Sequence, residues 1–184
     1  MAKTLLLAFS LLSLQTGAVE QGTLTIALAC TAVPTPIGSF RLTIANIGVD
    51  DTAVLLGTAL ANGRWYELRD LTLIIKGPGP DAPEEYQYRS TGYPTGVAGR
   101  IDHWILPLPG GSAFSMTVFP RDFFSPLTSN RLTNLPSAAT VIVRLVGRPV
   151  TYDLNVDMTG LRNVRLWTGT ATSLPLRVRD DCTD

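Results

Sequence analysis

Apolar and polar residues alternate with a period of two along most of this chain. Residues 23–30 and 40–44 show the pattern most clearly, and no amphipathic helical pattern of comparable length is present. Such alternation is typical of a strand that has one face in a core and the other in water. The sequence therefore predicts an all-β protein.

Short runs of this kind recur along the chain and are separated by Gly, Pro and Asn. The Asn62-Gly63 pair favours a two-residue hairpin. Eight to ten short strands joined by such turns predict an antiparallel β-sandwich that is Ig-like in architecture. Two long loop insertions are predicted, at 76–99 and 120–138. Besides the two runs above, the predicted strands are 53–57, 71–75, 86–88, 100–106, 112–119, 140–146, 150–158, 164–167 and 174–178.

The N-terminus has the features of a secretory signal peptide. Lys3 precedes an apolar run at 4–14, and small residues lead up to a cleavage position after Ala18. The run is too short to span a bilayer as a helix. We expect residues 1–18 to be removed on export. Residues 19–184 would then form a single domain that is secreted or periplasmic and not inserted in the membrane.

Composition narrows the class of protein. Only 16% of residues are charged and 45% are hydrophobic, which favours a packed globular domain over disorder. The formal net charge is zero, and no basic stripe is visible, so nucleic acid is not expected as a partner. Arginine outnumbers lysine 13 to 2, which we interpret as the mark of a GC-rich, bacterial genome.

The two cysteines, Cys30 and Cys182, stand near opposite ends of the exported chain. In an oxidising compartment, such a pair predicts one disulfide. Closing a loop of roughly 150 residues would add about 4–5 kcal/mol in the chain-entropy model. A metal site made of two thiols is a weaker alternative. Lipidation of Cys30 is another, but it would require a signal core that runs through Glu20 and Gln21.

Candidate catalytic residues are few, and none is predicted to act. His103 is the only histidine, with Asp102 beside it and Ser112 across a predicted hairpin. Adjacent strand residues point to opposite faces, and 110–114 is not a strand-to-helix elbow. Three acidic pairs, at 50–51, 84–85 and 180–181, fall in loops or at a terminus. A secreted hydrolase therefore stays an alternative without a defined catalytic site.

Asp153, Asn155 and Asp157 have the spacing that begins a calcium-binding loop. The rest of that loop is missing, because Met158 stands where glycine is required and no glutamate follows at the twelfth position. We therefore expect no metal and no cofactor.

Aromatic residues supply the strongest candidates for binding. Tyr86, Tyr88 and Tyr93 lie in a Gly- and Pro-rich segment at 78–95, and Trp65 and Tyr66 follow the predicted hairpin. Tyrosine offers a large amphipathic contact at low entropic cost, and loops often carry recognition. These five residues form the predicted binding surface. Alternatively, Tyr86 and Tyr88 cover a sheet edge or close the sandwich.

The segment 40–119 carries a series of turn motifs in a recognisable order. They are Asn46-Ile47-Gly48, Asp50-Asp51, a Gly-x-x-Leu-x-Asn-Gly-x-x-Tyr-x-Leu run at 57–68, 97–104, and Pro109-Gly110-Gly111-Ser112. The order resembles a group of uncharacterised exported bacterial sandwich proteins. It is also loosely similar to the Ig-like intracellular proteinase-inhibitor family. The resemblance covers under half of the exported chain, implies a sandwich fold, and transfers no reactive-site residue.

These observations favour a non-enzymatic exported module that binds a protein or a cell-envelope component, or that has a structural role there. One alternative is a proteinase inhibitor that inserts an extended loop, such as 120–136, into a protease cleft. A further alternative is the secreted hydrolase.

Overall fold

A computed structural model describes residues 24–31, 39–60, 70–88, 101–136, 138–149 and 165–178. Within these ranges the chain forms eleven strands and one short 3-10 turn, Pro120–Asp122. None of the residues described belongs to a helix with the length and apolar character needed to cross a membrane. The strands are β1 Leu24–Cys30, β2 Phe40–Asn46, β3 Thr52–Leu60, β4 Leu71–Lys76, β5 Glu84–Tyr88, β6 Ile101–Leu108, β7 Ala113–Val118, β8 Phe123–Phe124, β9 Thr140–Val146, β10 Thr170–Thr172 and β11 Leu176–Arg177.

The strands form three sheets. One has the order β1-β2-β7, a second has the order β10-β9-β4-β5-β8 with β11 also paired to β9, and the third pairs β3 with β6. Every strand pairing in the described residues is antiparallel. A single parallel bridge joins Ala53 to Leu166. The predicted all-β antiparallel sandwich is confirmed.

Alternation in the sequence becomes alternation of burial in the strands. Phe40, Leu42 and Ile44 of β2 are buried, and β9 likewise alternates buried and half-buried positions. Side chains from all three sheets meet in one core cluster. Burying an aliphatic or aromatic side chain of this kind contributes about 1.5–3 kcal/mol. The apolar face of each strand therefore holds the sheets together.

One antiparallel pair of chain segments passes from one sheet into the next, where β2 is followed by β3 and β6 is followed by β7. Ala45 pairs with Ala113 at the end of the β2–β7 ladder, and Thr52 pairs with Leu108 where the β3–β6 ladder begins. The chain passes from β2 to β3 through 46–51 and from β6 to β7 through 109–112. We call these two facing segments the corner. The corner lets one antiparallel pair contribute to two sheets.

Glycines at 110 and 111 allow the two halves of the corner to approach closely. The Gly110 N–H donates to Asp51 Oδ1 at 3.0 Å, and a Cβ on Gly110 would collide with the backbone of Val49. Gly111 has φ +74°, a conformation that side chains other than glycine disfavour. The motifs that carry the family resemblance at 46–51 and 109–112 are therefore structural turns.

Several predicted elements need correction. The predicted strand at 164–167 is, in the described residues 165–167, a single bridge from Leu166 to Ala53. β6 continues through Pro107 to Leu108, whereas the prolines predicted an end at 106. The predicted loop at 120–138 contains a 3-10 turn and β8, and β10 was not predicted. Strands of two or three residues are too short to show periodicity, so only packing defines them. The signal peptide, the Asn62-Gly63 hairpin and the 150–158 strand lie outside the described residues.

Cys30 is the last residue of β1 and packs half-buried against the core. Cys182 lies outside the described residues. The disulfide between them therefore stays a prediction.

Candidate binding groove

The structure describes two of the five predicted binding residues, Tyr86 and Tyr88, both on β5. Trp65, Tyr66 and Tyr93 lie outside the described residues. Because side chains alternate along a strand, Glu84, Tyr86 and Tyr88 share one face of β5. That face is directed toward the core, where Tyr86 and Tyr88 contact the hydrophobic cluster.

Tyr88 belongs to the core. Its side chain is 6% exposed, and its ring meets that of Phe123 edge-to-face at a centroid distance of 5.4 Å. β8 lies next to β5 in the sheet and places Phe123 over this tyrosine. This packing fits the alternative role given to Tyr88, closing the sandwich, and leaves little of its side chain exposed to a partner. Its binding role stays a prediction. The sequence did not reveal this packing because β8 was not predicted.

Tyr86 lies two residues before Tyr88 on β5, and its side chain is half-exposed. Its hydroxyl donates a hydrogen bond to Glu84 Oε2. This hydrogen bond, with a smaller effect of burial, raises the pKa of Tyr86 to about 12. The phenol therefore stays a hydrogen-bond donor at every physiological pH.

A solvent-open groove of about 830 Å³ lies beside Tyr86. One wall is the segment 82–86, and the other comes from 125–134. Ligand sites commonly have volumes of about 300–1,000 Å³. The groove joins the two insertions that the sequence singled out separately, 76–99 and 120–138.

The second wall is a short hairpin that follows β8. Ser125 N donates to Asn130 O at 2.8 Å, and Leu132 N donates to Phe123 O at 2.8 Å. The Arg131 guanidinium lies over the Phe124 ring at 5.3 Å. These contacts tie both arms of the hairpin to the sheet. The wall is therefore set in place before any ligand arrives, which lowers the entropic cost of binding.

Leu127 stands at the tip of this hairpin with 93% of its surface exposed. The turn beneath it is closed by a hydrogen bond from Ser129 N to Ser125 O at 2.9 Å. An aliphatic side chain held out on a rigid turn, next to a groove, is suited to insertion into an apolar pocket of a partner. The sequence alone does not single out Leu127 as a contact residue, because leucines are common in loops.

Charge is distributed unevenly around the groove. Glu85 points to the opposite face of β5 from Glu84 and forms an ion pair with Arg144 at 2.8 Å. Glu84 lines the groove, and within the described residues its carboxylate is bonded to the Tyr86 hydroxyl and to no cation. Arg131 lies on the opposite wall. In the part of the chain that the structure describes, the first wall therefore carries a carboxylate that is not paired with a cation.

A second cavity, of about 570 Å³, lies between β1 and the segment 170–176. Its lining is mostly aliphatic, and Leu174 at its rim is 86% exposed. The cavity lies where the first strand of the domain runs beside one of the last. It therefore lies between the first described strand and the last described segment of the chain.

The catalytic candidates do not converge in the described residues. Asp102 and His103 face Ala59 and Thr58 in the β3–β6 ladder, whereas Ser112 is in the corner and donates to Pro109 O at 2.7 Å. With a rise of about 3.3 Å per residue, β6 puts His103 roughly 16 Å from the corner. No group of three metal-ligating side chains is found among the described residues. The calcium candidates at 153–157 lie outside them.

Comparison with protein-family models, with curated proteins and with solved structures found no match.

Proposed function

We propose that this protein is an exported, non-enzymatic binding module that recognises a protein or a cell-envelope component. Its contact surface is the groove between 82–86 and 125–134, together with Leu127. One observation carries the proposal: the start of β5 and a hairpin about 40 residues further along the chain meet on one sheet and form a pre-arranged cleft with an exposed apolar tip. Binding sites are commonly built from loops held by a scaffold in this way.

Export is the second part of the proposal. The pattern at 1–18 is that of a signal peptide, and a disulfide between Cys30 and Cys182 would suit an oxidising compartment. The placement of β1 beside 170–176 supports the disulfide, since it brings the first and last parts of the domain together.

Affinity capture from the native periplasm or culture medium, followed by mass spectrometry, tests the binding surface. The wild-type protein should retain a specific partner, and Leu127→Ser and Tyr86→Ala should each lower the captured amount at least about tenfold. That factor corresponds to the loss of about 1.4 kcal/mol of binding free energy.

Leu174→Ser is the matched control, because it removes an equally exposed leucine at the second cavity. It should leave capture unchanged. Equal capture by wild type, Leu127→Ser and Leu174→Ser would show that the groove is not the contact surface. Melting temperatures of Leu127→Ser and Leu174→Ser should stay close to wild type, which separates lost binding from lost folding. Tyr86→Ala also removes contacts with the core and should melt lower, so its capture is measured well below its melting temperature.

Proteinase inhibition is the second candidate, and the exposure of Leu127 on a rigid hairpin favours it. The conformation of the turn at 125–129 is an argument against inhibition, because this turn is closed, whereas an inhibitory loop inserted into a protease cleft would be extended. A panel of serine, cysteine and metallo-proteases with excess protein tests this function. Stoichiometric inhibition that is lost in Leu127→Ala would support it, and an unaffected panel would rule it out for those proteases.

A further inference from the structure

We propose that the groove recognises a basic side chain, lysine or arginine, on an extended peptide segment of the partner, with Glu84 as the acceptor of the cation. This inference rests on the proposed function and adds the chemistry of the ligand.

The charge of Glu84 is the first argument. Two consecutive glutamates lie on opposite faces of β5, and among the described residues a cation pairs only with Glu85, Arg144 at 2.8 Å. Glu84 faces the groove with the Tyr86 hydroxyl as its hydrogen-bond donor. That hydrogen bond holds the carboxylate in position and adds no positive charge. A carboxylate held in a cleft without a cation selects a donor that brings one.

The remaining lining suits the rest of a lysine or arginine residue. Pro83 and Pro126 supply apolar surface along which the methylene stem of a long cationic side chain can lie. Amide side chains of Asn130 and Asn134 can donate to and accept from the backbone of the peptide. The groove therefore offers a partner for each part of such a residue.

Arg131 and Leu127 favour a peptide over other ligands and orient it. Like charges repel, so Arg131 on the far wall disfavours a cation there and directs it to Glu84. Leu127 can contact an apolar neighbour of the basic residue. A neutral glycan would use neither the carboxylate charge nor a leucine that is 93% exposed.

Titration of the purified protein with three probes, followed by NMR or calorimetry, tests the inference. The probes are an acetylated, amidated Leu-Ala-Lys-Ala-Leu peptide, its norleucine analogue, which keeps the stem without the charge, and chitohexaose. The lysine peptide should bind about tenfold more tightly than the norleucine peptide, as expected for one charge-assisted contact. Glu84→Gln should abolish this preference.

Asp81→Asn is the matched control, because it removes an exposed carboxylate of the same segment that does not line the groove. It should keep the preference for lysine. Equal affinity of the two peptides for the wild-type protein, or an undiminished preference in Glu84→Gln, would overturn the inference.

The probes also separate this inference from the proposed function. Binding of chitohexaose in the absence of peptide binding would overturn the basic-peptide inference and leave a binding groove. If none of the three probes binds but capture of the partner still depends on Leu127, the basic-peptide inference is likewise overturned and the binding groove stands. Failure of the probes together with failure of capture would remove both.

Discussion

Asn46 is 1% exposed, yet its side-chain amide is fully hydrogen-bonded within the corner. Its Nδ2 donates to Asp50 O at 2.8 Å and to Leu108 O at 2.9 Å, and its Oδ1 accepts from Gly48 N at 3.0 Å. One side chain thus joins the end of β2, the start of β3 and the end of β6. Burying a polar group is tolerated here because each donor and acceptor is satisfied.

Asn46→Ala is expected to lower the free energy of unfolding by about 2–4 kcal/mol. Two carbonyls and one N–H would lose their partner, and at least the Leu108 carbonyl is bonded in a buried environment. Urea denaturation measures the loss. Thr43→Ala is the control, because it removes an exposed Thr43–Ser115 hydrogen bond of 2.8 Å and should cost about 1 kcal/mol or less. Equal losses in the two variants would contradict the role given to Asn46.

At the scale of elements, the connection between β7 and β9 shows how a predicted loop acquires structure. Phe119 N donates to Asp122 Oδ2 at 3.1 Å across the 3-10 turn, and Phe123 then enters the core. Desolvation by burial raises the pKa of Asp122, although the Phe119 N–H and the nearby Arg121 and Arg131 act in the opposite direction. The turn therefore contains a carboxylate that is costly to ionise.

This pKa shift makes stability depend on pH. Below the ordinary value of 3.8, Asp122 is protonated in both the folded and the unfolded chain. As pH rises above it, the unfolded chain ionises first, so the destabilisation caused by Asp122 grows until the carboxyl is also ionised in the native state, and it stays constant at higher pH. Asp122→Asn keeps an oxygen acceptor for Phe119 N and cannot ionise.

The difference in unfolding free energy between Asp122→Asn and wild type should therefore shift in favour of the variant as pH rises from 3 to 7. Chemical denaturation at several pH values measures it. A pH-independent difference would contradict the raised pKa.

At the scale of the whole molecule, the first and the last described strands pack in one region. β1 contacts β9 and β10 across the sandwich, and β11 pairs with β9. Cys30 ends β1, and the described chain ends at the buried Val178, four residues before Cys182. A bond between the two thiols would therefore join elements that packing already places in one region.

Replacing both cysteines by serine is expected to lower the free energy of unfolding by about 4–5 kcal/mol, because the unfolded chain would no longer be closed into a large loop. Denaturation of the wild-type protein with and without reductant provides a second measurement. Mass analysis after alkylation of natively produced protein should find both thiols protected. Modification of both thiols would disprove the disulfide.

The strand positions were largely predictable from the chain itself. Alternation at 24–30, 40–46 and 140–146 is a local property, and each strand shows it wherever its partners are. The turn residues of the corner were visible for the same reason. β8 was not predicted, since two residues carry no period and their conformation depends on neighbours far along the chain.

The groove could not be predicted as a unit. Tyr86 and Tyr88 are both tyrosines on the same face of β5. The position of β8 makes Tyr88 a core residue and leaves Tyr86 at the groove. Likewise, Glu84 and Glu85 are adjacent in the sequence but lie on opposite faces of β5, and Arg144 on β9, beyond β4, pairs with Glu85. The sequence by itself determined the class of fold, because hydrophobic alternation acts residue by residue. The tertiary structure decided which side chains are buried, paired or available, because those properties arise from contacts between segments that are distant in the chain.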